Sequence, residues 1–540
     1  MAWRIGWTFG PAVTIESHMV RSIFGRMTWR TWVGSAASAA LVGCGGGGSG
    51  HGSAPTSSAN GDGGAASDAT ATGIGGEDGG GDAGAFGDGG VSCIDGGAGP
   101  KGTQLVKSAT ASILGITDDD EVVYVDTASQ ALSAVPAVGG APVSIGRTEG
   151  AAGVASKAVF NWTGLNQDGT VASALQVWTA ARGVHPLAGA SLAGAADSSA
   201  DGTKVVYFDD ASASTADLYV AGTDGSGKTR LASGIYWTPG CIPQVSFLGN
   251  SVILGYCTAA PSGTGIPVGT LALYVGASGS GTTLSAAASM SFQTDATKIL
   301  YNTSGGLMLA DATTGATTLV DPTGGPSSIF THDGQGAIYV TTDGAIKRYP
   351  MASPNQPSVV ASGGFQSVAS LSPDDRWVLA SKTMDPNSGN ADIYVASAAS
   401  PAPAVTILGT PTGTFYGSSF TADSSHVLYV DNAANGAGDL HVVPTSGGPG
   451  VKVASRMWIG FATTGARVVY EDGFVPNVGL DAQGIADIRV IDVSAASPTP
   501  TLLVNQADPG LYFTSAGNRL VYSLTFCAVG SEGIWVMPTP

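Results

Sequence analysis

From about Thr103 to its end, the chain alternates short apolar runs with turns rich in Gly, Asp and Ser. The runs are about five to eight residues long and favour β-branched and aromatic side chains, which predicts strands rather than helices. One module recurs. A turn carrying Asp or Gly leads into an apolar strand, a loop follows, and a further strand often has the form Asp-apolar-Tyr-Val. Clear copies are Ser372-Pro-Asp-Asp-Arg-Trp-Val-Leu-Ala-Ser381 with Asp392-Ile-Tyr-Val395, Ser199-Ala-Asp-Gly-Thr-Lys-Val-Val-Tyr-Phe208 with Asp217-Leu-Tyr-Val220, and Thr421-Ala-Asp-Ser-Ser-His-Val-Leu-Tyr-Val430 with Asp439-Leu-His-Val442. Taken as the first strand of each unit, the apolar runs centre near Val123, Phe160, Val206, Leu254, Leu300, Tyr339, Leu379, Leu428, Val469 and Val521. The spacing is that of one four-stranded propeller blade, roughly 40 to 50 residues.

These copies resemble the WD-like repeats of the TolB family, whose pattern is Ser-Pro-Asp-Gly, an apolar strand, then Asp-Ile-Tyr-Val. The resemblance implies an all-β chain built as a β-propeller. About ten units are expected, as one large ring or two propellers, and an eight-bladed ring with two inserted hairpins is the competing count. The last unit, through Arg519-Leu-Val-Tyr522 and Ile534-Trp-Val-Met537, ends a strand short. The first begins with a spare strand, Thr103-Gln-Leu-Val-Lys-Ser108. Pairing the two would close the ring and remove two sheet edges.

The segment ahead of the repeats has another texture. After Arg30, residues 31–43 form a short uncharged apolar stretch ending in Leu41-Val42-Gly43-Cys44. It resembles the lipobox of bacterial lipoprotein signals, which implies export, cleavage before Cys44 and lipidation of its thiol. Residues 1–43 are then a signal peptide, with Met19 or Met27 as alternative starts. Residues 45–100 hold 22 Gly and seven acids among 56 residues, with no Lys or Arg. Such a segment cannot bury enough apolar area to offset its backbone entropy, so it is expected to be a disordered tether spanning about 40 Å. Gly45 follows Cys44 where an Asp would signal retention, which by resemblance to enterobacterial sorting implies the outer membrane.

Once Cys44 is lipidated, four cysteines remain in an oxidising compartment, and three pairings are possible. Cys241 and Cys257 flank one strand; Cys93 precedes the closing strand and Cys527 lies in the last unit. The favoured pairs are Cys241–Cys257 and Cys93–Cys527. No CxxC pair occurs, which argues against zinc or thiol-redox chemistry.

The chain carries a net charge of −18, which disfavours a nucleic-acid partner. It has no run of 18 apolar residues, so no transmembrane helix is expected. Gly222-Thr-Asp-Gly-Ser-Gly-Lys-Thr229 matches the P-loop pattern, but no helical period follows it, so a hairpin turn is expected. His185, His332, His426 and His441 lie in four stretches without metal-ligand spacing; His426 and His441 share one unit and could face each other. Asp118-Asp-Asp-Glu121 reads as a solvated turn. No GxSxG elbow appears. The sequence therefore assigns no catalytic, cofactor or metal residue. It favours a non-enzymatic envelope lipoprotein: a propeller scaffold, membrane-anchored by its lipid, that binds a protein or glycan. The alternative is a propeller enzyme, such as a glycan lyase or hydrolase.

Overall fold

In the computed structural model, residues 101–540 are described, except 149–150, 164–171, 193–194, 213, 238–240, 259–267, 354–355, 385–390, 399–405, 409–416, 435–436, 449, 477–483, 496 and 526–529. The signal peptide, Cys44 and the tether lie outside the described residues, as do Cys93 and Cys527.

The described residues form antiparallel strands in sequential order, with no α-helix among them. They make ten four-stranded blades. Six blades are separate sheets, and two seven-stranded sheets hold two blades each. In each seven-stranded sheet a 14-residue strand, Thr282–Asp295 or Val451–Thr464, is the last strand of one blade and continues as the first of the next.

The runs counted in the sequence are the second strands of the blades, not the first. They are Glu121–Asp126, Ala158–Thr163, Lys204–Asp209, Ser251–Tyr256, Lys298–Thr303, Gly336–Thr341, Trp377–Met384, His426–Ala434, Arg467–Val475 and Arg519–Leu524. The central residues of these strands are mostly apolar on both faces, because both faces are buried. Val206 and Phe208 pack toward the fourth blade, while Val205 and Tyr207 pack toward the second. True first strands are short and mix small polar residues, as in Ala196–Ser198 and Gly417–Phe420, so they carry little apolar signal.

Ten large apolar clusters hold the ring, one at each junction between consecutive blades. The tenth joins the last blade to the first: Val521, Ile534 and Val536 pack with Ala111, Ile113, Val122 and Tyr124. One ring of ten blades follows, rather than two propellers or an eight-bladed ring.

The seam uses the spare strand. Thr103–Lys107 runs antiparallel beside Gly533–Pro538, with Thr103 opposite Val536 and Lys107 opposite Gly533. Leu105 inserts into the cluster between the last and first blades. Two glycines permit the close approach: a Cβ on Gly102 would overlap the Val536 carbonyl, and one on Gly533 would overlap that of Val106.

Turns between first and second strands repeat one hydrogen-bonded unit. The Ser199, Thr331, Ser372 and Thr421 hydroxyls donate to the carboxylates of Asp201, Asp333, Asp374 and Asp423 at 2.6 to 2.7 Å. Each hydroxyl also accepts the backbone N–H five residues on. These bonds hold the four carboxyls below the usual range, Asp201 at about 2. The recurrent acids of the repeat motif are thus turn locks.

Candidate functional site

By strand direction, second-to-third connections and inter-blade connections lie at one end of the ring. At this end the disulfide Cys241–Cys257 links the segment before Gln244–Leu248 to the end of Ser251–Tyr256, as the sequence favoured. The P-loop-like segment lies at the opposite end. There it forms the hairpin turn between Thr215–Gly222 and Thr229–Tyr236, closed by Gly222 N–H donating to the Ser226 carbonyl at 2.7 Å. The Asp118-to-Glu121 cluster also serves structure: Asp119 pairs with Lys157 at 2.8 Å, and Asp120 accepts the Ser515 N–H from the last blade.

The histidines do not converge. His185 is half-buried and approaches the Arg182 carbonyl. His332 meets Asp375 of the next blade at 2.8 Å. His426 stands opposite Pro444, and His441 opposite Tyr429, so the two do not face each other. Burial lowers the His426 imidazole pKa, against the opposing pull of Asp423.

What the end of the ring does bring together is a recurring pair of acids. A second-strand Asp faces a third-strand Asp in blades three, eight and nine: Asp209 with Asp217, Asp431 with Asp439, Asp472 with Asp487. In blade three Lys228 reaches Asp209 at 2.5 Å and Arg230 reaches Asp217 at 3.2 Å. In blade nine Arg489 serves both acids, at 3.0 and 3.1 Å. Blade eight differs. By strand register, Gly450 stands where blade three has Lys228, and His441 where it has Tyr219. His441 stacks on Tyr429 with ring centroids 4.8 Å apart and planes 3° from parallel. Its Nε2 lies 3.0 Å from Asp431 Oδ1. Lys452 Nζ lies 3.6 Å from Asp439 Oδ2.

A second acid pair is sealed between blades nine and ten. Glu471 is 1% exposed and Asp508 8%, so neither is open to a substrate. Glu471 Oε1 accepts the Gly510 N–H at 2.6 Å, and Asp508 Oδ1 accepts the Thr525 hydroxyl at 2.5 Å. Their other oxygens have no hydrogen-bond partner among the described residues. Burial pushes Glu471 up to about 8, with Asp508 adding to the rise, and burial raises Asp508 as well.

Sequence reading missed both groups. The signal for the first was present: aligned with Tyr219 and Lys228, the third copy substitutes His441 and Gly450. The second pair joins residues 37 positions apart and had no local signature.

No family model matches the chain, and no curated protein matches it. Solved structures that it is similar to include a eukaryotic initiation factor, at 12% identity and TM-score 0.44, covering 65% of this chain and 90% of that one. Others are TolB from Agrobacterium tumefaciens (14%, 0.26, 48% and 94%) and TolB from Acinetobacter baumannii (12%, 0.26, 56% and 81%). Likeness at this level concerns fold alone, and the propeller assignment rests on the strand order and blade junctions above.

Proposed function

We propose that the chain is a non-enzymatic envelope lipoprotein, anchored through Cys44 to the outer membrane, whose propeller is a scaffold binding a protein or glycan partner. The supporting observation is the lining of the ring. First strands of neighbouring blades approach one another, which places them innermost. Their residues are chiefly Ser, Thr, Gly, Ala, Gln and apolar, with two acids, Asp197 and Asp295, and no Lys, Arg or His. Asp197 is engaged by the Ser246 hydroxyl and the Phe247 N–H, both at 2.8 Å. Such a surface offers neutral hydrogen-bonding groups and small contours, which suits contact with a polymer chain more than acid–base chemistry. The sealed Glu471 and Asp508 pair does not favour the enzyme alternative, because a substrate cannot reach it.

The test is site-specific photo-crosslinking in intact cells, with the probe at Gln244 or Ser328 on the inner strands and at the exposed Ser226, in the third-to-fourth-strand turn of blade three at the opposite end, as control. One defined protein or glycan adduct from the inner positions supports the scaffold. Cleavage of envelope glycan by the purified chain, abolished by a single substitution on the ring, would replace the scaffold with the enzyme reading.

A further inference from the structure

We infer that Asp431, Asp439 and His441 form a binding site for one divalent transition-metal ion, with Zn²⁺ the best match. The site does not depend on the scaffold reading.

Three observations carry it. First, one donor atom from each residue lies within 4.8 Å of the others. Zinc with nitrogen and oxygen donors at about 2.0 to 2.2 Å places neighbouring donors roughly 3.3 Å apart in a tetrahedron. A small contraction therefore completes the set, and Asp431 Oδ1 and His441 Nε2 already stand 3.0 Å apart. Second, those two atoms are shielded from solvent and have no hydrogen-bond partner, and their mutual approach lacks hydrogen-bond geometry. The Asp431 side chain is only 7% exposed. A buried carboxylate oxygen left in this state is costly unless a cation answers it. Third, the equivalent acid pairs in blades three and nine carry their cations within the chain, as Lys228, Arg230 and Arg489. Blade eight has Gly450 in the Lys228 position, so Asp431 has no fixed lysine or arginine. Lys452 serves Asp439 alone, from 3.6 Å.

The donor set selects the ion. An imidazole with two carboxylates suits zinc or a neighbouring transition metal, whereas Ca²⁺ and Mg²⁺ prefer six or more oxygens. Tyr429 holds the imidazole plane by stacking, as a second-layer residue holds a ligand ring. The three protein donors leave one tetrahedral position for water. Lys452 must swing away, and it is a competitor for Asp439.

The experiment uses the mature full-length chain with Cys44→Ser, stripped with chelator and titrated with Zn²⁺ by equilibrium dialysis. One Zn²⁺ per chain is expected, retained against about a hundredfold excess of Ca²⁺. His441→Phe keeps the ring stack and removes the nitrogen; Asp431→Asn keeps the volume and removes the charge. Each should weaken binding by at least about tenfold. Lys452→Gln should tighten it about threefold by removing the competing cation. His426→Gln should leave it unchanged. X-ray absorption of the zinc-loaded wild type, which needs no variant, should show one nitrogen and two carboxylate oxygens plus a water. Absence of saturable Zn²⁺ binding, displacement by Ca²⁺, a sulfur-rich shell, or a His441→Phe variant that binds like wild type would overturn the site.

Discussion

Glu471 gives the fold a pH dependence of unusual sign, and its size can be worked out. The carboxyl sits in the seam between blades nine and ten, facing Asp508 and the Gly510 N–H, and burial holds it at about 8 against an ordinary 4.5. In the unfolded chain it ionises above 4.5, while in the ring it keeps its proton up to about 8. Between those values the unfolded state binds fewer protons, so stability falls as pH rises. The contribution is fully present below 4.5 and lost by about 8. At ~1.4 kcal/mol per pH unit, the gap sets an upper bound of ~5 kcal/mol. Asp508 is also raised, and the two carboxyls titrate as a coupled pair, so the measured loss belongs to the pair. Glu471→Gln keeps an acceptor for the Gly510 N–H and removes the proton. The assay is thermal denaturation of the wild type and Glu471→Gln at pH 5 and pH 9. Wild type should lose stability on going to pH 9, and the variant should lose much less. An equal loss in both proteins would refute the assignment.

Other outcomes follow from the same structure. Cys44→Ser should move the protein from the membrane fraction into the soluble one while its circular dichroism is unchanged; retention on membranes after a salt wash would refute lipidation. Cys241→Ser with Cys257→Ser should lower stability by ~3 kcal/mol on the chain-entropy estimate for a loop of this length, read by urea denaturation against wild type. The turn carboxyls of Asp201, Asp333, Asp374 and Asp423 have lowered pKa values, so their stabilisation is present above pH ~4 and lost as pH falls further. Replacing Asp201 and Asp374 by Asn should therefore flatten the melting temperature between pH 4 and pH 2.

The blade count was legible because second strands are buried on both faces, so Glu121–Asp126 and Lys204–Asp209 stand out by four consecutive apolar residues at their centres. Their place within the blade was not legible. Inner strands such as Tyr512–Phe513 are too short to show a period, and Val451–Thr464 passes between blades without a turn. The closing strand was readable because both chain ends were one strand out of step. The relation of His426 to His441 was not, because register across a hairpin decides it, and that register puts Pro444 opposite His426. The blade-eight donor set depends further on a position just before the fourth strand, Gly450, whose meaning appears only when the repeat copies are aligned with one another.

The central claim is one closed ring whose ends meet at a single seam. Hydrogen exchange of the intact chain tests it most directly, since backbone amides gain protection only where a partner strand holds them. If Thr103–Lys107 completes the last blade beside Gly533–Pro538, the protected amides of both segments should exchange as slowly as those of Arg519–Leu524. Exchange of 103–107 at the rate of an unstructured peptide, with 519–524 protected, would contradict closure.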